Sequence, residues 1–364
     1  MASSPNLFDS LSLGPYTLRN RIFMAPMTRG RATAEGVPTD AMSEYYRQRA
    51  SAGLIITEAT AISAQGVGWV NAPGIFTDVQ QAAWEPVTEA VHGEGGTIFL
   101  QLWHMGRVSH PDFLDGQLPV SASAIAAEGE SHTPKGKKAY VQPRALAADE
   151  LPGVAADYAA AARRAIAAGF DGVEIHGANG YLLDQFIRDG SNQRDDAYGG
   201  SIENRWRFPL EVAEAVAEAV GKERTGIRLS PTNAYNGMSD GDPVATFSYG
   251  AKRLDALGLA FVHLLDPMPG HMFAVEGAPV IHPYVREAYG GRLILNGGYD
   301  AKKADEALAE GQADAVAFGL PFLANPDLPR RMQEDAPLNQ PDFATLYTPG
   351  VEGYTDYPRL NERT

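Results

Sequence analysis

One phrase recurs along this chain: the end of a helical stretch, a glycine, then a short apolar run. Ser51-Ala52-Gly53 leads into Leu54 to Glu58, and Ala167-Ala168-Gly169 leads into Phe170 to His176. Ala256-Leu257-Gly258 leads into Leu259 to Leu264, and Ala309-Glu310-Gly311 into Gln312 to Phe318. The glycine suits the left-handed position just past a helix, where a Cβ is costly. The apolar runs are too short for helices and suit strands covered on both faces. Ile22 to Met27, Thr97 to Trp103, Gly226 to Ser230 and Arg292 to Asn296 are further strand candidates, which makes eight.

Helical patterns fill the gaps. Asp78 with Gln81 reads as a capping box, followed by Trp84, Val87 and Val91 on one face, with Pro86 as a kink. Val154, Tyr158, Ala162, Ala165 and Ile166 form a second stripe, and Phe208, Val212 and Val216 a third. Eight strand–helix units predict an α/β fold of the (β/α)8 TIM-barrel kind, with residues 1–364 as one domain. A doubly wound sheet is the alternative, but the first strand ends Ala25-Pro26-Met27-Thr28 without a glycine-rich turn. Gly14-Pro15 between short apolar runs predicts an N-terminal hairpin plugging one end. Trp103 to Pro152 is too long for a plain connection and predicts a capping excursion after the third strand.

Composition removes several function classes. The chain of 364 residues carries 45 acidic and 30 basic side chains, a net charge of −15, which disfavours nucleic acid and anionic membrane as partners. It contains no cysteine, which excludes disulfides, thiolate catalysis and cysteine-held zinc or iron–sulfur clusters. That absence fits a reducing cytoplasm. No apolar run reaches membrane-spanning length, and Met1 to Asn6 lack the basic and apolar regions of a secretory leader.

In this architecture the active site lies where the strands end. Polar residues gather there: Thr28, Glu58, Gln101, Trp103, His104, His176, Asn179, Tyr181, Arg228, His263 and Asn296. Taken singly, each is more often a cap or loop residue than a catalyst. Their convergence on one rim is what suggests a site. Glycines after strands seven and eight (Gly297, Gly298, Gly319) offer backbone N–H groups where barrels commonly bind phosphate. His176-Gly-Ala-Asn179-Gly-Tyr181 puts two neutral donors and a phenol on one turn, a pairing able to hold an oxygen as negative charge builds.

At these residues the chain resembles the old yellow enzymes, flavin-dependent ene-reductases. The resemblance runs through Asn20 to Arg29, Gln101 to Arg107, His176 to Tyr181, Asn192 to Arg205, Ala324 to Leu328 and Gly353 to Pro358. It implies FMN as cofactor, NADPH or NADH as reductant and an electron-poor alkene as substrate, in two half-reactions on one flavin face. Pro26, Met27, Thr28, Ala59, Gln101 and Arg228 would surround the flavin ring, with Asn296, Gly297, Gly298, Gly319 and Leu320 toward the phosphate. His176 and Asn179 would bind the substrate's activating oxygen, Tyr181 would donate the proton, and Trp69, Trp103 and Tyr347 would shape the pocket. Relatives usually read Phe-Gly-Arg after strand eight, whereas this chain reads Phe318-Gly319-Leu320. The segment Asp195 to Arg205 reads as structural. The rival readings are a metal-dependent barrel hydrolase using His104, His176 or His263, and a non-catalytic flavin-binding barrel. A monomer or homodimer is expected.

Overall fold

The computed structural model describes residues 4–360. Met1 to Ser3, part of the stretch read as lacking a leader, lie outside the described residues. Eight parallel strands close into a barrel: β1 (Ile22–Met24), β2 (Leu54–Ala61), β3 (Ile98–Trp103), β4 (Gly172–Gly177), β5 (Thr225–Leu229), β6 (Phe261–Leu265), β7 (Leu293–Asn296) and β8 (Ala315–Phe318). Val316 opposite Ile22 joins the last strand to the first. The eight expected strands are therefore all present, with ends shifted by a few residues.

Helices connect them on the outside: α1 (Asp40–Gln48), α2 (Asp78–Gly93), α3 (Leu151–Ala167), α4 (Leu182–Ile187), α5 (Ile202–Val220), α6 (Pro243–Leu257), α7 (His282–Ala288), α8 (Ala301–Ala309), α9 (Leu320–Ala324) and α10 (Leu328–Gln333). The capping box of α2 sits one residue earlier than expected. Thr77 is extended and its hydroxyl accepts from the Gln80 amide, while Gln80 accepts in return from Thr77 N–H. Asp78 is already helical and pairs instead with Arg164 at 2.7 Å. The helix continues through Pro86 to Gly93. In the second stripe Val154, Tyr158, Ala162 and Ala165 are buried and Ile166 is half-buried.

The repeated glycine has two physical causes. Gly258 follows α6 in the left-handed region, at φ 64°. Gly53 does not have a positive φ; a Cβ there would lie 2.1 Å from the carbonyl oxygen of Asn20, so close approach to the N-terminal segment requires glycine.

Strand alternation sorts the core into two shells. Ile22, Ile55, Leu100, Val173, Ile227, Val262, Leu295 and Val316 face the helices. Phe23, Leu54, Ile56, Phe99, Phe261, Ile294, Ala315 and Ala317 face inward, together with Leu11, Leu13 and Leu18 of the N-terminal hairpin (Leu11–Leu13 paired with Tyr16–Leu18). The hairpin thus plugs the floor, as its turn residues suggested. At the opposite end the excursion holds a hairpin, Glu130–Thr133 with Gly136–Ala139, and a short parallel pair, Val120–Ser121 with Arg144–Ala145. Arg194 donates to the carbonyls of Ala122 (3.0 Å) and Leu146 (2.6 Å), which fastens the excursion to the segment after α4. Arg205 donates to the Ile187 and Gly200 carbonyls, tying the start of α5 to the end of α4.

In the lowest interior layer two rings fill space left by two glycines. A Cβ on Gly172 would lie 2.5 Å from the Phe99 ring, and one on Gly226 would lie 2.3 Å from the Phe261 ring. Overpacking of this kind usually costs about 1–3 kcal/mol. Gly226→Val is therefore expected to lose at least that much in chemical denaturation, and adding Phe261→Leu to recover part of it. Wild-type stability in the single variant would show that the ring can move aside.

Candidate functional site

Above the apolar floor the interior turns polar. Gln101 and Glu174 come from the adjacent strands β3 and β4, and His263 from β6, across β5 from Glu174; all three are buried. Gln101 Nε2 donates to Glu174 Oε1 at 2.7 Å, and His263 Nδ1 lies 2.8 Å from Glu174 Oε2. A buried carboxylate is costly unless its oxygens are hydrogen-bonded, and here both are. Since Gln101 spends its NH2 on Glu174, its carbonyl oxygen is the end free for other partners.

The next layer up lines a cavity of about 490 Å3 at the carboxyl ends of the strands. Of the residues assigned to the flavin, to its phosphate or to substrate, all border it except Gly297, while Glu58 of the rim group does not. Gly297 lies behind Gly298: its carbonyl accepts from Met268 N–H at 2.8 Å, and a Cβ there would lie 2.8 Å from Pro267 Cα. Neither His104 nor His263 borders the cavity. Burial drives the His104 imidazole down to about 3, and its Nδ1 accepts from Gly106 N–H, a structural role. Among the described residues no three His, Asp or Glu side chains cluster as metal ligands.

A bulge carries Ala59 to the wall. The β2–β3 register slips between Ile56 and Ala59, so Ala59 comes to lie opposite Gln101. Glu58, turned the other way, accepts from the backbone N–H groups of Arg29 (3.1 Å) and Gly30 (3.3 Å), which fixes the chain just past Thr28.

Arg228 is buried and donates to Asn296 Oδ1 at 3.0 Å, while Asn296 donates to the Ala317 carbonyl at 2.8 Å. Arg228 forms no ion pair among the described residues, and its Nε has no partner. The cavity wall therefore carries a buried guanidinium. Next to it, Gly298 and Gly319 leave backbone uncovered: a Cβ at 298 would meet nothing nearer than 3.5 Å, and one at 319 only Met27 Sδ at 3.6 Å. A buried guanidinium with a free N–H, an amide oxygen, the Thr28 hydroxyl and bare peptide groups fit a planar ring with polar edges and an anionic tail.

His176, Trp103 and Tyr181 form an aromatic corner. The Tyr181 ring meets His176 edge-on at 4.8 Å and Trp103 at 4.9 Å. His176 Nδ1 accepts from Ala178 N–H at 3.3 Å, which leaves the ring proton on Nε2. Burial, then the charge of Arg228, hold this imidazole well below its ordinary range, so it is neutral. Burial pushes the Tyr181 phenol well above its ordinary range, so it keeps its proton.

Trp69 is held between two elements far apart in sequence. It stacks on His132 of the excursion hairpin at 5.7 Å and meets Tyr347 at 5.2 Å. The Tyr347 segment is itself tied down by arginines: Arg29 donates to the Leu346 and Gly353 carbonyls, and Arg31 to those of Thr345 and Leu346. The reading from sequence missed Tyr235, His271, Met272, Phe273, Phe343 and Leu346 on the wall. The first comes from the asparagine-rich turn directly after β5, a position at the same rim that offered a signal. Phe343 and Leu346 lie far past the last strand and offered none.

The profile of the NADH:flavin oxidoreductase / NADH oxidase family matches residues 6–339. The structure of the old yellow enzyme homologue from Zymomonas mobilis superposes with a TM-score of 0.96 at 51% identity, covering 97% of this chain and 99% of that one. Morphinone reductase in complex with tetrahydroNAD gives 0.92 at 50% identity, covering 99% and 100%. A 12-oxophytodienoate reductase from Oryza sativa subsp. japonica is 46% identical over 370 residues, 99% of this chain and 95% of that one. With the closed barrel and this cavity, the match establishes that the chain belongs to the NADH:flavin oxidoreductase family, the FMN-dependent old yellow enzymes.

Proposed function

We propose that this protein reduces activated carbon–carbon double bonds with NADPH or NADH as reductant. Enones, enals, maleimides and nitroalkenes are the substrate class, with nitrate esters as a second one. What supports this most is the corner built from one turn: neutral His176 with its proton on Nε2, the Asn179 amide, and the Tyr181 phenol against His176. Two uncharged donors facing one cavity suit an oxygen that gains charge during reaction. The FMN that these residues would hold would supply hydride transfer between the nicotinamide and the alkene.

The chain's own residues set up that chemistry. His176 and Asn179 hold the activating oxygen and so draw electrons from the double bond. Tyr181, kept protonated by burial, supplies the proton to the carbon next to the activating group. Pro26, Met27, Thr28, Ala59, Gln101 and Arg228 hold the flavin ring, and Asn296, Gly298, Gly319 and Leu320 flank its phosphate, with Gly297 behind them, off the cavity. Trp69, Trp103 and Tyr347 bound the substrate. Residues 1–364 act as one domain, a monomer or homodimer of the cytoplasm. Among the described residues no helix is long and apolar enough to cross a membrane.

The test separates the two halves of turnover. Changing His176 and Asn179 together to Ala should cut alkene reduction by about 10² to 10³. Nicotinamide oxidation with molecular oxygen as acceptor should stay within a few-fold. Equal loss in both assays would sink the assignment.

Leu320, where the family resemblance leads one to expect an arginine, borders the cavity. A charge-assisted hydrogen bond contributes about 1.5–3 kcal/mol, or about one to two powers of ten in affinity. Leu320→Arg should tighten FMN binding by that factor when apoprotein is titrated with FMN. An unchanged or larger Kd would place the side chain away from the phosphate.

The neutral state of His176 also has a cost in acid. Its folded pKa lies below the 6.5 of an unfolded imidazole. Below that pH the unfolded chain takes up a proton that the folded chain refuses, so stability falls as pH drops. By pH 5 the loss reaches up to about 2 kcal/mol. A His176→Gln variant should lack it, so that its unfolding free energy gains on wild type between pH 7.5 and 5. A constant difference across that range would mean that His176 takes up its proton in the fold as it does unfolded.

A further inference from the structure

Asn179 has four hydrogen-bonding groups, and three are already used. Its N–H donates to Ser230 Oγ at 2.7 Å, its carbonyl accepts from Asn236 Nδ2 at 2.8 Å, and its Oδ1 accepts from Asn233 Nδ2 at 2.9 Å. All three partners lie on the segment after β5. The fourth group, Nδ2, has no partner among the described residues, and Asn179 borders the cavity.

The direction of this arrangement is set by a group that cannot reverse. An amide side chain can turn over; a backbone N–H only donates. Tyr235 N–H donates to Asn233 Oδ1 at 2.8 Å, which commits that oxygen and turns the Asn233 NH2 toward Asn179. Asn233 is buried, and its carbonyl accepts from Arg188 Nη1 at 2.5 Å. Arg188 faces Asp184 at 3.9 Å, and Asp184 accepts from Gly180 N–H at 2.8 Å. Gly180 follows Asn179, so the circuit returns to its start. Arg107 holds the same loop from outside, donating to the carbonyls of Asn236 (3.0 Å) and Gly237 (3.1 Å).

We infer that Asn233 is a positioning residue that fixes the polarity of Asn179, relaying the one-way donation of Tyr235 N–H so that Asn179 offers the cavity a donor. This rests on the reading of Asn179 as a ligand of the substrate's activating oxygen. It makes the loop after β5 responsible for which sign of ligand the site accepts.

Asn233→Asp inverts the relay. Its carboxylate accepts from Tyr235 N–H and can only accept from Asn179 as well, so the Asn179 NH2 turns away and its oxygen faces the cavity. Two ligands of one shape read the result by calorimetry on the FMN-loaded protein. Pentafluorophenolate only accepts at its oxygen, and pentafluoroaniline donates from its nitrogen. In Asn233→Asp the phenolate should bind about ten- to hundredfold more weakly, while the aniline binds equally or more tightly. Asn233→Ala, which frees Asn179 to turn, should fall between wild type and Asp for the phenolate. Equal weakening of both ligands, or none for either, overturns the inference. The charge of the new carboxylate is separated by repeating Asn233→Asp in an Asn179→Ala background. There its effect on the phenolate should shrink below about twofold; persistence at tenfold would mean that it acts by charge alone. Asn179→Ala by itself tests the underlying reading: if it leaves phenolate binding unchanged, the site assignment fails, whereas a loss there with no effect of Asn233→Asp defeats only the relay.

Discussion

Everything in this molecule depends on the closure of eight short parallel strands, which forces alternate side chains of every strand into one small interior. A strand offers an inward place only every second residue. β4 uses its three for Gly172, Glu174 and His176: a notch for the Phe99 ring, a buried carboxylate, and a cavity donor. β5 offers Gly226 and then Arg228, and β6 offers Phe261 and then His263. A slip of one residue in either strand would swap these with the isoleucines, valines and leucines that face the helices. Packing the floor and aiming the site are thus one act of register.

The same closure explains how buried charge is tolerated. Glu174 is fully enclosed, and its two oxygens take hydrogen bonds from Gln101 and His263. Glu58, equally buried, lies against backbone N–H groups of Arg29 and Gly30. In each case the carboxylate holds in place a residue next to the cavity. Three buried arginines, Arg29, Arg31 and Arg49, are satisfied mainly by carbonyl oxygens and by tyrosine faces, with Arg49 lying 3.7 Å over Tyr45 and Tyr45 stacked on Tyr354 at 4.1 Å. These contacts bring residues near 350 to the end of the first strand.

The strands were legible because a buried parallel strand is a short run of apolar residues and its preceding glycine is a fixed marker. The rim was legible because polar residues ending such runs are out of place there. Glu174 was not, since a lone acidic residue inside an apolar run gives no sign of which neighbouring strands will supply its donors. Gly53 looked like its counterparts, yet its reason is a contact with Asn20, thirty-odd positions away, which periodicity cannot register. Thr77 lost to Asp78 in the reading because both are good caps and the backbone dihedral decides between them. Nothing in the sequence marks Asn233 and Asn236; that they hold Asn179 depends on how β4 and β5 sit side by side.

The plug at the floor has a consequence for traffic. Leu11, Leu13 and Leu18 with the layer of Phe99 and Phe261 fill the barrel beneath the site, so the chamber is a cul-de-sac. Whatever enters must leave through the same mouth, past Trp69 and Tyr347, before anything else can take its place. On the proposed chemistry, in which acceptor and reductant use this chamber in turn, an acceptor in large excess would compete with the reductant for it, and turnover would pass through a maximum and decline as acceptor concentration rises.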